Sequence, residues 1–155
     1  MPDSGDSAHL SMAETAQRAE VLDRLLHDGS FTDADISIGV RNDRLALRLL
    51  VPNYEESRRE GHWWRLRKTV EVPRYEYLVE ISHIVGVTIR DESHTYGHKI
   101  VRISYDAARD VLVFEAAPTF TIEVGGSAAG DVRTTRREAP VDVLRMKAIG
   151  PIEYD

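Results

Sequence analysis

The chain has 155 residues, a formal net charge of −6 at pH 7, 42% hydrophobic residues and 30% charged residues. This length suits one domain with a sizeable core, and the negative charge opposes general attraction to nucleic acid or to an anionic membrane. The sequence contains no cysteine, which excludes disulfides and thiolate metal sites, and we expect a cytoplasmic protein.

The N-terminal segment predicts a disordered tail followed by one helix. Residues 1–10 are small, polar and acidic, so we expect disorder there. Ser11 and Glu14 have the spacing of a capping box, which indicates a helix start. Apolar residues then recur at helical spacing, which predicts an amphipathic helix over about 12–27 that ends near Gly29. The apolar stripe consists of Met12, Ala16, Ala19, Leu22 and Leu26, flanked by Val21 and Leu25.

Beyond Asp35 the period of the apolar residues changes from helical to two, which predicts β-strands. The pair Asn42-Asp43 tolerates positive φ and predicts a two-residue turn between two of these strands. A turn of that length would place Val40 opposite Leu45.

A second hairpin is predicted at Pro73-Arg74, where one alternating run ends and another begins. A tight turn there would set Trp64 opposite His83 and Arg67 opposite Glu80. The two flanking strands would cover about 62–72 and 75–90.

Later runs of alternating residues complete a mainly β chain. Residues 125–140 are rich in glycine and alanine and then basic, which predicts a long mobile loop. We therefore expect a single β-rich domain over 11–155. It would be an antiparallel meander of seven to eight strands forming a barrel or a two-layer sandwich, with one N-terminal amphipathic helix. The later strands are expected at about 99–105, 111–116, 119–124 and 141–149.

The polar loop after the second hairpin contains the ligand types of a borderline divalent metal. Asp91, His94 and His98 are the candidate ligands. Two histidines four apart would share one side of a helix, but Gly97 and the flanking strands indicate a turn, so the spacing fixes no geometry. A polar loop with solvated histidines explains the same residues.

Two further features are candidates for ligand binding. His83 falls on the apolar face of its expected strand, where it would serve as a general base or metal ligand, or simply pack on Trp64 at the core edge. A β-bulge could also rotate it outward. The aromatic and basic residues Trp63, Trp64, Arg65 and Arg67 resemble a stacking and phosphate-binding surface for single-stranded nucleic acid.

The sequence contains no complete catalytic motif. We therefore expect a non-catalytic binding or assembly module of unknown ligand and cofactor, which forms a homo-oligomer or binds a protein partner through the helix stripe of residues 12–27. One alternative is a small metal- or ligand-binding enzyme with a histidine-containing site at the barrel mouth. Another is a nucleic-acid binder that uses the Arg/Trp strand. Because the apolar runs are far shorter than the ~20 residues of a membrane helix, we expect no membrane partner.

Overall fold

The computed structural model describes residues 4–60 and 67–149, which form one helix and one antiparallel sheet. Helix α1 spans Ser4–Leu25, and eleven strands follow it within the described ranges. These are β1 Ser30–Thr32, β2 Ile36–Ile38, β3 Arg44–Pro52, β4 Arg58–Glu60, β5 Arg67–Ser82, β6 Gly86–Asp91, β7 Gly97–Asp106, β8 Val111–Ala117, β9 Phe120–Gly125, β10 Asp131–Arg136 and β11 Asp142–Ile149.

The main path of the sheet has eight strands in the order β10-β5-β3-β1-β7-β8-β9-β6. The other three strands extend it at the sides, with β2 on β3 and both β4 and β11 on β5. The two ends of the path do not pair with each other, so the sheet is not closed into a barrel. The predicted class, mainly β and antiparallel with one N-terminal helix, is confirmed.

The core lies where α1 covers one face of the sheet. Alternate residues of β3 and β5 point into this core, and the helix itself lies against β7 and the 3₁₀ turn Ser127–Ala129. The backbone N–H of Ile103 in β7 donates to Asp23 Oδ1 in the helix at 2.7 Å. Buried members of this core include Ala19, Leu22, Leu26, Leu45, Leu47, Leu49, Val79 and Ile81.

The C-terminal part of the apolar stripe, Ala19, Leu22 and Leu26, packs in the chain's own core, whereas Ala16 is exposed. These three buried residues are not available to a partner, so a contact through the stripe of residues 12–27 is limited to its other members. Val21 and Leu25, on the flank of the stripe, stay exposed. Within the described ranges, no helix combines the length and the apolar character needed to cross a membrane.

The helix begins earlier than predicted. It starts at Ser4, so most of the segment expected to be a disordered tail is helical, and the capping box at Ser11 lies inside the helix. No proline lies between Ser4 and Ser11, and extending an existing helix costs far less than nucleating one. The helix ends at Leu25, and Asp28 rather than Gly29 takes the left-handed conformation, with φ 62°.

The hairpin of β2 and β3 forms with a register two residues away from the predicted one. Leu45 pairs with Ile38, and Val40 is left fully exposed in the connecting loop. The loop is closed by the N–H of Gly39, which donates to the carbonyl of Arg44 at 2.9 Å. Because the difference is an even number of residues, the side chains of β3 keep the face that the pattern predicts, and Leu45, Leu47 and Leu49 are buried.

The predicted turn at Pro73-Arg74 is wrong, because β5 runs straight through it. Arg67 therefore pairs with Ile149 of β11 and not with Glu80. Glu80 lies between Ala46 of β3 and Arg133 of β10.

Pro73 is tolerated inside β5 because the neighbouring strands change beside it. On one side β3 ends at Pro52, opposite Arg74, and on the other side β11 begins at Asp142, also opposite Arg74. A proline lacks the N–H that a continuous ladder needs, so a change of partners is a suitable place for it. Arg74 binds Asp142 through both arms of its guanidinium, with Nε 2.7 Å from Oδ1, and this hydrogen bonding lowers the pKa of Asp142.

The predicted long loop over 125–140 is wrong in its middle part. A 3₁₀ turn at Ser127–Ala129 leads into β10, which pairs with β5 along its whole length. The strand has only one large apolar residue, Val132, and its alternation is mostly between threonine and arginine. Such an edge strand lacks the hydrophobic signal on which the prediction depended. The predicted strands that correspond to β7, β8, β9 and β11 are confirmed.

The hairpin of β2 and β3 gives a matched test of the core. We expect Leu47→Ala to lower the free energy of unfolding by about 2–5 kcal/mol, because it leaves a cavity at a fully buried position. Val40→Ala in the same hairpin should change it by less than about 0.5 kcal/mol, since Val40 is fully exposed. Urea denaturation of both variants measures the difference. Equal effects would contradict the register.

Candidate metal centre

The pairing of β1 with β7 brings two distant segments together. Phe31 lies opposite His98, and Thr32 lies opposite Gly97. A 3₁₀ turn, Asp33–Asp35, follows β1 at once. This turn is held by its last residue, because Asp35 Oδ2 accepts hydrogen bonds from the Thr32 backbone N–H at 2.8 Å and from Thr32 Oγ1 at 3.1 Å.

His98 is buried and tightly packed. Its side chain has 0% exposure, and its ring stacks on Phe120 with centroids 3.9 Å apart. Phe31 covers the ring from another direction, with centroids 5.2 Å apart. Nε2 lies 2.7 Å from Asp33 Oδ1, whereas the buried Nδ1 has no hydrogen-bond partner among the described residues. A buried polar atom without a partner costs about 1–3 kcal/mol, so this nitrogen requires an explanation.

Asp91, the last residue of β6, is held in a turn of its own. Its Oδ1 accepts hydrogen bonds from Ser93 Oγ at 2.6 Å, from the Ser93 backbone N–H at 3.1 Å and from the His94 backbone N–H at 3.2 Å. The hydrogen bond from Ser93 Oγ is the main reason why the pKa of Asp91 is lowered. The carboxylate therefore stays ionised well below neutral pH.

Asp33, Asp91 and His98 form one cluster, in which one ligand atom of each residue lies within 4.8 Å of the others. An imidazole nitrogen and two carboxylates are ligands that suit Zn²⁺ and other borderline divalent ions. Three protein ligands leave at least one coordination position open for water or a further ligand. We call these three residues the cation cluster.

The structure brings together two of the three predicted metal ligands, Asp91 and His98, but not His94. His94 is exposed, its backbone has φ 55°, and it meets Asp91 through its N–H rather than its ring. The third residue of the cluster is Asp33. It is 65 residues away from His98 in the sequence, and the two come together only because β1 pairs with β7.

His83 does not lie on the apolar face and does not join the cation cluster. Its backbone has φ 57°, which breaks the predicted long strand into β5 and β6 and turns the ring outward. The side chain is 75% exposed, and its Nδ1 lies 2.7 Å from Asp131 Oδ2. In the sheet, β3 and β1 separate β5 from β7, so His83 and His98 belong to different sites.

The predicted stacking surface stays a prediction. Trp63, Trp64 and Arg65 lie outside the described residues, and so does the expected contact between Trp64 and His83. Arg67 is the first residue of β5, where its backbone pairs with Ile149.

The turn at Asp91 gives a prediction about proton binding. We expect Ser93→Ala to raise the pKa of Asp91 towards its ordinary value, because the strongest hydrogen bond to the carboxylate is lost. A lowered folded-state pKa contributes stability that is present at neutral pH and lost as the pH falls through that pKa, so the variant should lose some stability at neutral pH. An NMR titration of the carboxyl carbon measures the change, with Ser104→Ala in β7 as the control. An unchanged pKa would contradict the assignment.

Comparisons with known proteins return nothing that bears on this centre. No protein-family model, no curated protein and no solved structure matches the chain.

Proposed function

We propose that this protein is a non-catalytic binding module that holds a borderline divalent cation, of which Zn²⁺ is the best fit, at Asp33, Asp91 and His98. The observation that carries the proposal is the meeting of these three side chains from three separate segments, with ligand atoms within 4.8 Å of one another. These three ligands support cation binding, and the open coordination position would hold water or a further ligand.

The charges of the cluster support a cation. Two carboxylates stand beside an imidazole that has a single polar contact, and a divalent ion would balance both negative charges. Bonds of about 2 Å in a tetrahedral site place neighbouring ligand atoms roughly 3.3 Å apart. Nε2 of His98 and Oδ1 of Asp33 are already 2.7 Å apart, so binding needs a movement of about half an ångström.

The position of the cluster supports a structural role for the cation. Asp33 follows β1, Asp91 ends β6, and His98 belongs to β7. A cation bound to all three would join β6 to the paired strands β1 and β7, because in the sheet β6 pairs with β9 alone. Binding to the folded state alone would stabilise it by mass action.

The test uses chelator-treated protein titrated with ZnCl₂ and, separately, MnCl₂. At a free Zn²⁺ concentration about 100 times the Kd, we expect a stabilisation of roughly 2.7 kcal/mol in thermal unfolding. Asp33→Asn should weaken binding by at least about 10-fold in calorimetric titration, because it removes a charged ligand from a side chain that is 52% exposed and contributes little to packing. His94→Ala is the matched control, and it should bind as the unchanged protein does.

Two outcomes would refute the cation site. One is the absence of any thermal shift with either metal. The other is an Asp33→Asn variant that binds as tightly as the unchanged protein. His98→Ala is a less suitable first variant, because the buried ring also packs on Phe120.

Self-association through the helix is a second proposal. Val21 is 54% exposed and lines a groove together with Val132 of β10, and Leu25, which is 37% exposed, lies one turn farther along the helix. The groove also has Glu14 and Arg18 on its rim. A twofold axis that passes between these two residues would bring Glu14 of one copy near Arg18 of the other, where the arginine also donates to the carbonyl of Gly130 at 3.2 Å.

Light scattering at high protein concentration tests this second proposal. We expect a dimer, and we expect the double variant Val21→Glu/Leu25→Glu to be a monomer, because two buried charges would oppose the contact. Val141→Glu, at another exposed valine, should leave the dimer intact. A monomeric unchanged protein would remove the proposal.

A further inference from the structure

The face of the sheet opposite the helix has an open cavity of about 700 Å³ over the beginning of β3, the end of β5 and the beginning of β10. This size lies within the range of about 300–1,000 Å³ that is usual for small-molecule sites. Two rows of paired residues cross it, and they alternate with the buried residues of the same strands, so they point away from the core. The rows are Arg44, Ser82 and Asp131, and then Ala46, Glu80 and Arg133. We call this the outer cavity.

Two arginines of the outer cavity lack the partners that their neighbours have. Farther along the same face, Arg48 and Arg137 both bind Glu76, with N···O distances of 3.5 and 3.0 Å. Within the described part of the chain, Arg44 and Arg133 have no ion pair or side-chain hydrogen bond. Both are exposed and line the cavity, so their guanidinium groups are available to an anion.

His83 adds a ring nitrogen whose direction is fixed by contacts of the other nitrogen. Its Nδ1 meets Asp131 Oδ2 at 2.7 Å and Ser82 Oγ at 3.4 Å, which leaves Nε2 for a ligand. A left-handed backbone is uncommon in residues other than glycine and is often found at binding sites. Both contacts fall on the same ring nitrogen, so these residues do not have the arrangement of a hydrolytic triad, in which serine and aspartate use different nitrogens.

We propose that the outer cavity binds a small phosphorylated polyol, such as a sugar phosphate. Two guanidinium groups approaching from different strands match the double charge of a phosphate monoester, whereas a single carboxylate would need only one. Glu80 lies between them in the same cavity and accepts hydrogen bonds from hydroxyl groups. The cavity has room for more than a phosphate group. This site shares no residue with the cation cluster, and it is independent of the function proposed above.

Calorimetric titration with ribose 5-phosphate, ribose and inorganic phosphate tests the proposal. We expect ribose 5-phosphate to bind, and to bind more tightly than either of the other two. Arg44→Gln and Arg133→Gln should each weaken that binding by about 10-fold or more, because each removes a charge-assisted contact. Arg102→Gln, at an exposed arginine of β7, is the matched control and should leave the affinity unchanged. All three positions are on the surface, and circular dichroism checks that each variant is folded.

Three results would overturn the proposal. These are no binding of ribose 5-phosphate at millimolar concentration, inorganic phosphate binding as tightly as ribose 5-phosphate, and an equal loss of affinity in Arg102→Gln. The titration is repeated after treatment with a chelator and with Asp33→Asn. Unchanged binding of ribose 5-phosphate in both cases is expected, and it separates this site from the cation cluster. Binding that requires the cluster would contradict the independence of the two sites.

Discussion

A strand of three residues, β1, holds the two halves of the sheet together. It is the strand between β3 and β7 in the sheet order, so the strand ladder on one side continues to the ladder on the other only through it. Towards β3 only Ser30 is paired, with Leu50, whereas towards β7 all three residues are paired. The connection from the helix extends this second contact, because Ile100 of β7 donates its N–H to the carbonyl of Gly29 at 2.8 Å. The register of β1 against β7 therefore fixes how the helix, the core and the cation cluster stand relative to one another.

The same pairing explains why a histidine can be buried in this protein. Phe31 of β1 and Phe120 of β9 enclose the ring of His98, and the turn that follows β1 supplies its acidic partner, Asp33. A neutral ring between two phenyl groups would need no cation to stay in place. The ionised carboxylate of Asp91 lies beside the ring as well. Together with Asp33 it places two negative charges at the edge of an apolar cluster, and these favour a bound cation.

Features that depend on local periodicity could be predicted from the sequence, and features that depend on distant pairing could not. The helix and the strands β7, β8 and β9 follow from the spacing of their own apolar residues. Pro73 indicated a turn, because a proline inside a strand lacks a donor on one side. That side is free only because β3 ends at Pro52, which is far away in the chain. In the same way, Asp91 and His98 could be predicted as metal ligands because they lie in one loop. Asp33 could not, because its position depends on β1, a strand of three residues that is too short to show a period.

The single residue pair between β1 and β3 has a consequence for the cooperativity of the protein. The sheet divides along that line into two units, one with the cation cluster and one with the outer cavity. Hydrogen bonds cross that line elsewhere, because Ile84 donates its N–H to the carbonyl of Asp43 at 3.3 Å and Val87 donates its N–H to Asn42 Oδ1 at 3.2 Å. The helix also spans it, since Asp23 accepts from Ile103 of β7 and Arg18 donates to the carbonyl of Gly130, just before β10. The two parts of the sheet therefore share one core and open together, and a ligand at either site would slow amide exchange in both.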